Sequence, residues 1–241
     1  MYLIDAIIEY NTSGALLHFV DFPGAYSRGK DIHTAFLNAY DEIEIYSKWA
    51  NNPIKNNFEI VIPNTYLANP RLNLSNGHSE ILIANDKEKF SEETFEKWCA
   101  LAEYSAECFE NLYTAISDKT WNMPEEKKDV FYSHETLTNA EDVYNHVCDC
   151  HKKFLEPTGC KCRILKKDGY YDNRKKCISA IKDFYTTCDK ADISKKGKEE
   201  WTINKVIRKY IWHDRLHARG LYDYSKELGM KKKDIPNVYC F

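Results

Sequence analysis

The sequence lacks any run of apolar residues close to the roughly 18 that cross a bilayer, although hydrophobic residues make up 43% of the chain. Its first residues, Met1 to Asp5, also lack the positive flank and the long apolar stretch of a secretory signal. No segment is polar enough to predict disorder. We therefore expect a soluble, globular protein of the cytoplasm that does not associate with membranes.

An excess of charge of either sign is also missing. Lys and Arg number 34 and Asp and Glu number 37, which gives a formal net charge of -3. Because phosphate binding needs a basic surface, we do not expect a nucleic-acid partner. The nine cysteines are an odd number, and several lie in helical patterns, which favours buried thiols in a reducing compartment over a disulfide framework.

The hydrophobic pattern divides the 241 residues into two domains, 1–86 and 87–241. In the first, short apolar runs and turn residues predict strands and one helix. The predicted elements are strands at 3–10 and 15–20, a helix at 32–46, and strands at 58–62 and 80–83. This β-β-α-β-β order predicts a small α+β domain.

The second domain has helical periodicity throughout. Ser91 is the predicted N-cap of its first helix, and Thr138 to Glu141 has the spacing of a capping box at the start of the second. A third stripe covers residues 177–188, and a fourth runs from Ile203 to Leu228, where Gly229 ends it. Four helices in one domain predict an all-α four-helix bundle.

Two histidines on the fourth helix predict a metal site. His213 and His217 are one helical turn apart and fall on the stripe that faces the bundle core. The alternative is a pair of hydrogen-bonded core histidines. A ligand from the facing helix would be His146 or His151, and periodicity alone does not choose between them.

The segment from Ala140 to Cys150, followed by His213-Asp214-Arg215-Leu216-His217, resembles the DinB-like metal-binding family over about residues 90 to 241. That resemblance implies a four-helix bundle that holds one divalent ion through His146, His213 and His217. Ligation by histidines suits zinc or nickel equally, so the sequence does not choose between these ions. The resemblance also implies a thiol-dependent transferase as one activity, and it leaves His151 with a core or surface role. Three protein ligands leave a fourth position open, which is typical of a catalytic ion.

The segment from Phe22-Pro23-Gly24 to Phe36 resembles the HicB-like antitoxin fold. Three readings of the function follow. The first is a metal-dependent transferase or hydrolase acting on a small molecule, with a low-molecular-weight thiol as the candidate substrate. The second is a non-enzymatic module in which the HicB-like domain recognises a protein and the metal stabilises or senses. A third is an antitoxin with an added domain. The histidine pair lacks the glutamate that serves as general base in H-E-x-x-H helices, so the sequence does not decide whether the protein is an enzyme.

Three smaller expectations concern neighbouring residues. Asp214 and Arg215 are expected to form a pair on the helix surface, with support of a ligand histidine as the alternative. The C-x-C pairs Cys148/Cys150 and Cys160/Cys162 are closer together than zinc-knuckle cysteines, so we interpret them as structural. The apolar tail, residues 235–241, is expected to pack against the bundle or against a second subunit, which leaves a homodimer open.

Overall fold

The computed structural model describes residues 2–54, 57–124, 127, 137–165, 167–187 and 192–241. Within these residues the chain forms six strands and five α-helices, and the predicted α+β class is confirmed. In chain order the elements are β1 (Tyr2–Asn11), β2 (Gly14–Phe19), β3 (Tyr26–Gly29), α1 (Ile32–Trp49), β4 (Phe58–Leu67), α2 (Glu92–Ala115), α3 (Ala140–Leu155), α4 (Tyr170–Thr187), β5 (Ser194–Lys196), β6 (Glu199–Trp201) and α5 (Ile203–Glu227).

The first four strands form one mixed sheet in the order β3-β2-β1-β4. β2 is antiparallel to both of its neighbours, and β4 is parallel to β1 because α1 carries the chain back across the sheet. α1 begins at Asp31, whose carboxylate accepts a hydrogen bond from the Thr34 N–H at 2.7 Å. Its buried residues pack against β2 and β3.

The predicted order β-β-α-β-β is wrong at two points. The strand β3 precedes the helix, and its four mostly polar residues do not produce the hydrophobic pattern of a strand. Residues 80–83 do not form a strand. The carbonyls of Glu80 and Ile81 instead accept hydrogen bonds from Lys205 Nζ at 2.8 Å and Arg208 Nη2 at 3.1 Å, so side chains of α5 satisfy this backbone.

Each of the four long helices of the second half contacts two of the others, so that the contacts form a ring. α2 contacts α4 and α5, and α3 also contacts α4 and α5. Ser91 is the N-cap of α2, as predicted, and accepts a hydrogen bond from the Thr94 N–H at 3.2 Å. The third predicted helix begins earlier than its hydrophobic stripe, at Tyr170, and Cys188 of that stripe lies outside the described residues.

The last helix, α5, is central to the molecule, with 21 of its 25 residues buried. On one side it packs on α2 and α3, and on the other it meets the sheet half. Arg208 binds Asp86 through Nε at 2.9 Å and Nη2 at 2.6 Å, and Arg215 binds Glu42 of α1 at 2.8 Å. One cluster of buried hydrophobic residues therefore contains side chains from both halves, including Ile43 and Ile211.

The carboxy-terminal tail packs against the helices of its own chain, which confirms one of the two predicted partners. Tyr239 is 1% exposed and donates a hydrogen bond to the Ser105 carbonyl of α2 at 2.5 Å. Its ring stacks on Trp49 of α1 with the ring centres 5.5 Å apart. Among the described residues, no helix has the length and apolar character to cross a membrane.

Candidate metal centre

Two helices, α3 and α5, carry the predicted ligands toward each other, and capping side chains set where each begins. The side chain of Asn139 accepts a hydrogen bond from the Asp142 N–H, one residue later than the predicted capping box. Thr202 accepts from the Lys205 N–H and donates to the Asp86 carbonyl at 2.7 Å. Each cap determines where its helix begins, and helical spacing then determines which residues of that helix share a face.

The structure brings the three predicted histidines together. His146 Nε2 lies 3.2 Å from His213 Nε2, and His217 Nε2 lies 3.1 Å from the same atom. The ring centres of His146 and His217 are 4.9 Å apart. The Nε2 atoms of His146 and His217 therefore both lie beside Nε2 of His213, between α3 and α5.

Hydrogen bonding alone does not account for this convergence. A ring nitrogen carries either one hydrogen or one lone pair, so it makes one good in-plane hydrogen bond. His213 Nε2 has two nitrogen neighbours at hydrogen-bond distance, His146 and His217. Only one of them can pair with it well, whereas a cation between the rings would bind all three lone pairs.

The spacing of the nitrogens fits a small divalent ion. Zinc binds imidazole nitrogen at about 2.0–2.1 Å in a tetrahedral arrangement, which places two nitrogens about 3.3 Å apart. The two separations in the structure, 3.1 and 3.2 Å, are close to that value. Both separations at His213 are therefore close to those of ligands that share one ion.

Burial keeps His213 in the neutral form that a metal requires. Its side chain is 6% exposed, and desolvation lowers the pKa of the imidazole well below 6.5. His217 and His146 lower the pKa of His213 further, because a second proton in the cluster would be repelled. The Nε2 lone pair of a neutral ring is available to an ion.

Sequence reasoning missed one member of the cluster, Cys150. Its Sγ is 3.9 Å from His146 Nε2, and donor atoms of His146, Cys150 and His213 all lie within 4.8 Å of one another. Desolvation raises the pKa of the Cys150 thiol to about 11, so without an ion it is protonated at neutral pH. The available signal was its spacing, since Cys150 follows His146 by one turn just as His217 follows His213.

The alternative ligand on α3, His151, lies away from this cluster. It is 1% exposed, and its ring stacks on Tyr170 of α4 with the ring centres 4.4 Å apart. Five residues on a helix correspond to about 140° of rotation, so His146 and His151 cannot face the same point. His151 is a core residue.

The expected surface pair of Asp214 and Arg215 is wrong, because both side chains are 0% exposed. Asp214 binds Arg174 of α4 at 2.9 and 3.0 Å and accepts a further hydrogen bond from the Tyr170 hydroxyl. Arg215 pairs with Glu42 of α1. A helix that is covered on all sides has no solvent face for charges, so each is paired inside the protein.

The exposure of the cluster is uneven. His146 is half-buried, whereas Cys150 and His217 are 5% and 1% exposed. Cavities of about 490 and 380 Å³ lie elsewhere, beside Arg28 and Lys232 respectively. The cluster therefore meets solvent at the His146 side of α3 and is otherwise enclosed by protein.

No protein-family model, curated protein or solved structure matches the chain.

Proposed function

We propose that this protein is a divalent-metal-binding protein of the DinB-like kind, with one ion held by His146, His213 and His217. The observation that carries the proposal is the convergence of three Nε2 atoms from two helices, with separations of 3.1 and 3.2 Å at His213. Support for the bundle comes from the contacts of α2 and α3 with both α4 and α5. Zinc and nickel both suit imidazole ligands.

The enclosure of the cluster favours a binding or regulatory module whose ion stabilises the fold or senses metal. Its ligands join α3 to α5, and α5 in turn packs against the sheet half. An ion at this point would therefore stabilise contacts of both halves. In this reading the HicB-like half recognises a protein partner.

The half-buried position of His146 supports a second candidate, a metal-dependent transferase or hydrolase acting on a small molecule such as a low-molecular-weight thiol. An ion with a free position would lower the pKa of a bound water or thiol. Residues beside His146, where the cluster meets solvent, would orient that ligand.

Metal content measured by mass spectrometry tests the binding proposal. The native chain, purified without a histidine tag, is expected to hold about one equivalent of metal per chain, as a three-histidine site predicts. His217→Ala is expected to lose it, whereas His151→Ala is the matched control, a buried histidine outside the cluster. No uptake by the native chain, even from added zinc or nickel, would leave the three histidines as core polar residues.

The rate of metal loss separates the two candidates. A strong chelator should remove an enclosed ion slowly, on the time scale of local opening. It should remove an ion with an exposed position rapidly and in proportion to chelator concentration. Fast, concentration-dependent loss would favour the transferase or hydrolase.

A further inference from the structure

The position of Cys150 makes it a candidate for the one place in the ligand set that the three histidines leave free. Its Sγ is 3.9 Å from His146 Nε2. In a tetrahedral zinc site with nitrogen at about 2.0 Å and sulfur at about 2.3 Å, those ligand atoms would be about 3.6 Å apart. A shift of about 0.3 Å, which a side-chain rotation supplies, would bring Sγ to the distance from His146 Nε2 that two ligands of one zinc ion have.

Charge gives a second, independent argument. Three neutral imidazoles would leave a divalent ion with both of its charges in an enclosed site, which is costly without an anion. Lys209, one turn before His213 on α5, already pairs with the Glu199 carboxylate at 3.0 Å, and that carboxylate also binds Lys205 at 2.9 Å, so Glu199 is engaged by two lysines. A thiolate would reduce the charge of the ion from two to one.

The nearby carboxylate does not provide that anion. Asp214 is adjacent to His213 in sequence, but about 100° of helical rotation separates them, and its oxygens bind Arg174 and Tyr170 of α4. Among the described residues, the cluster around His146 and His213 contains no Asp or Glu. Cys150 is thus the acidic group that the fold places beside the histidines.

We propose that Cys150 is the fourth ligand, so that the resting ion is held by three histidines and one cysteine in a closed set. This inference rests on the proposed metal-binding function. In this arrangement Cys150 fills the fourth coordination position, which three protein ligands alone would leave open. On binding, the thiol gives up its proton to solvent and its sulfur binds the ion. An external ligand must then displace the thiolate, which takes a proton back.

Cobalt(II) provides a direct test, because thiolate ligation produces a sulfur-to-cobalt charge-transfer band in the near ultraviolet that nitrogen ligation does not. Metal-free native protein, Cys150→Ser and Cys148→Ser would each be titrated with cobalt(II) alone. Cys148 is the matched control, since it is a half-buried cysteine on the same helix. Two residues along a helix turn it about 200° away from Cys150.

The expected result is a near-ultraviolet band in the native protein and in Cys148→Ser, and its loss in Cys150→Ser with the visible cobalt bands retained. Visible bands without the ultraviolet band in the native protein would overturn the assignment, as would a band that survives in Cys150→Ser. Absence of all cobalt bands would instead show that the proposed metal-binding function is wrong.

X-ray absorption of the native protein loaded with zinc gives a reading that does not depend on the folding of any variant. One sulfur at about 2.3 Å together with nitrogens at about 2.0–2.1 Å would support the closed ligand set. A shell of nitrogen and oxygen only would overturn it.

Discussion

Removal of Arg174 should destabilise the protein strongly, because this guanidinium is the partner of a carboxylate that has no contact with water. Arg174 and Asp214 are 1% and 0% exposed and form two hydrogen bonds of 2.9 and 3.0 Å between α4 and α5. Breaking such a buried pair by removing one partner typically costs about 3–5 kcal/mol. The Tyr170 hydroxyl still donates to Asp214 in the Arg174→Met variant, so we expect the lower end of that range.

The assay is urea unfolding of the metal-free protein, followed by tryptophan fluorescence. In thermal unfolding, the same loss of about 3 kcal/mol would appear as a fall in Tm of about 6–12 °C for a chain of this size. A matched control is Lys97→Met, since Lys97 and its partner Glu93 are largely exposed, with side-chain exposures of 71% and 78%. That change should leave the unfolding free energy unaltered within error.

A triple variant tests the reason for the loss. Arg174→Met combined with Asp214→Leu and Tyr170→Phe removes both charges and the hydroxyl that would otherwise lose its acceptor. It should recover most of the lost stability, because replacement of a whole buried ionic group by apolar side chains is often close to neutral. A loss below about 1 kcal/mol for Arg174→Met, or strictly additive losses in the combined variant, would refute the reasoning.

Three further predictions follow from burial and backbone geometry. Burial lowers the pKa values of His151 and His213 well below 6.5, so the unfolded chain takes up protons that the folded chain does not. The unfolding free energy of the metal-free protein should be highest above pH 6.5 and fall by about 1.4 kcal/mol per pH unit per histidine as the pH drops. His151→Phe should reduce this slope by one proton in urea titrations at pH 5 to 7, and an unchanged slope would show that His151 titrates normally. Gly24→Ala should cost about 2 kcal/mol or more, because Gly24 has a φ of +82° and a Cβ would lie 2.5 Å from Ile211 Cγ2; a Tm equal to that of the native chain would contradict this contact. Tyr239→Ala should cost about 3–5 kcal/mol, since it removes a buried ring from the core, and a smaller loss in thermal unfolding would show that the tail contributes little.

Local signals in the sequence were sufficient to predict much of the helical half of the protein. The N-cap at Ser91 and the long stripe of α5 depend on residues within one or two turns, and the structure shows both. The spacing of His213 and His217 likewise places them on one face before any tertiary contact forms. The strand predicted at 80–83 failed because α5, more than 120 residues later in the chain, supplies the hydrogen-bond partners of that backbone.

The sequence by itself determined that two histidines of α5 share a face and that helices dominate the second half. Only the tertiary structure decided which side chains of α3 meet them, placing His146 and Cys150 in the cluster and His151 in the core. It also decided that Asp214 is buried, because α5 is covered on every side by elements far away in sequence. Helical spacing is a local property of the backbone, whereas burial and ligand geometry depend on which distant helices pack against each other.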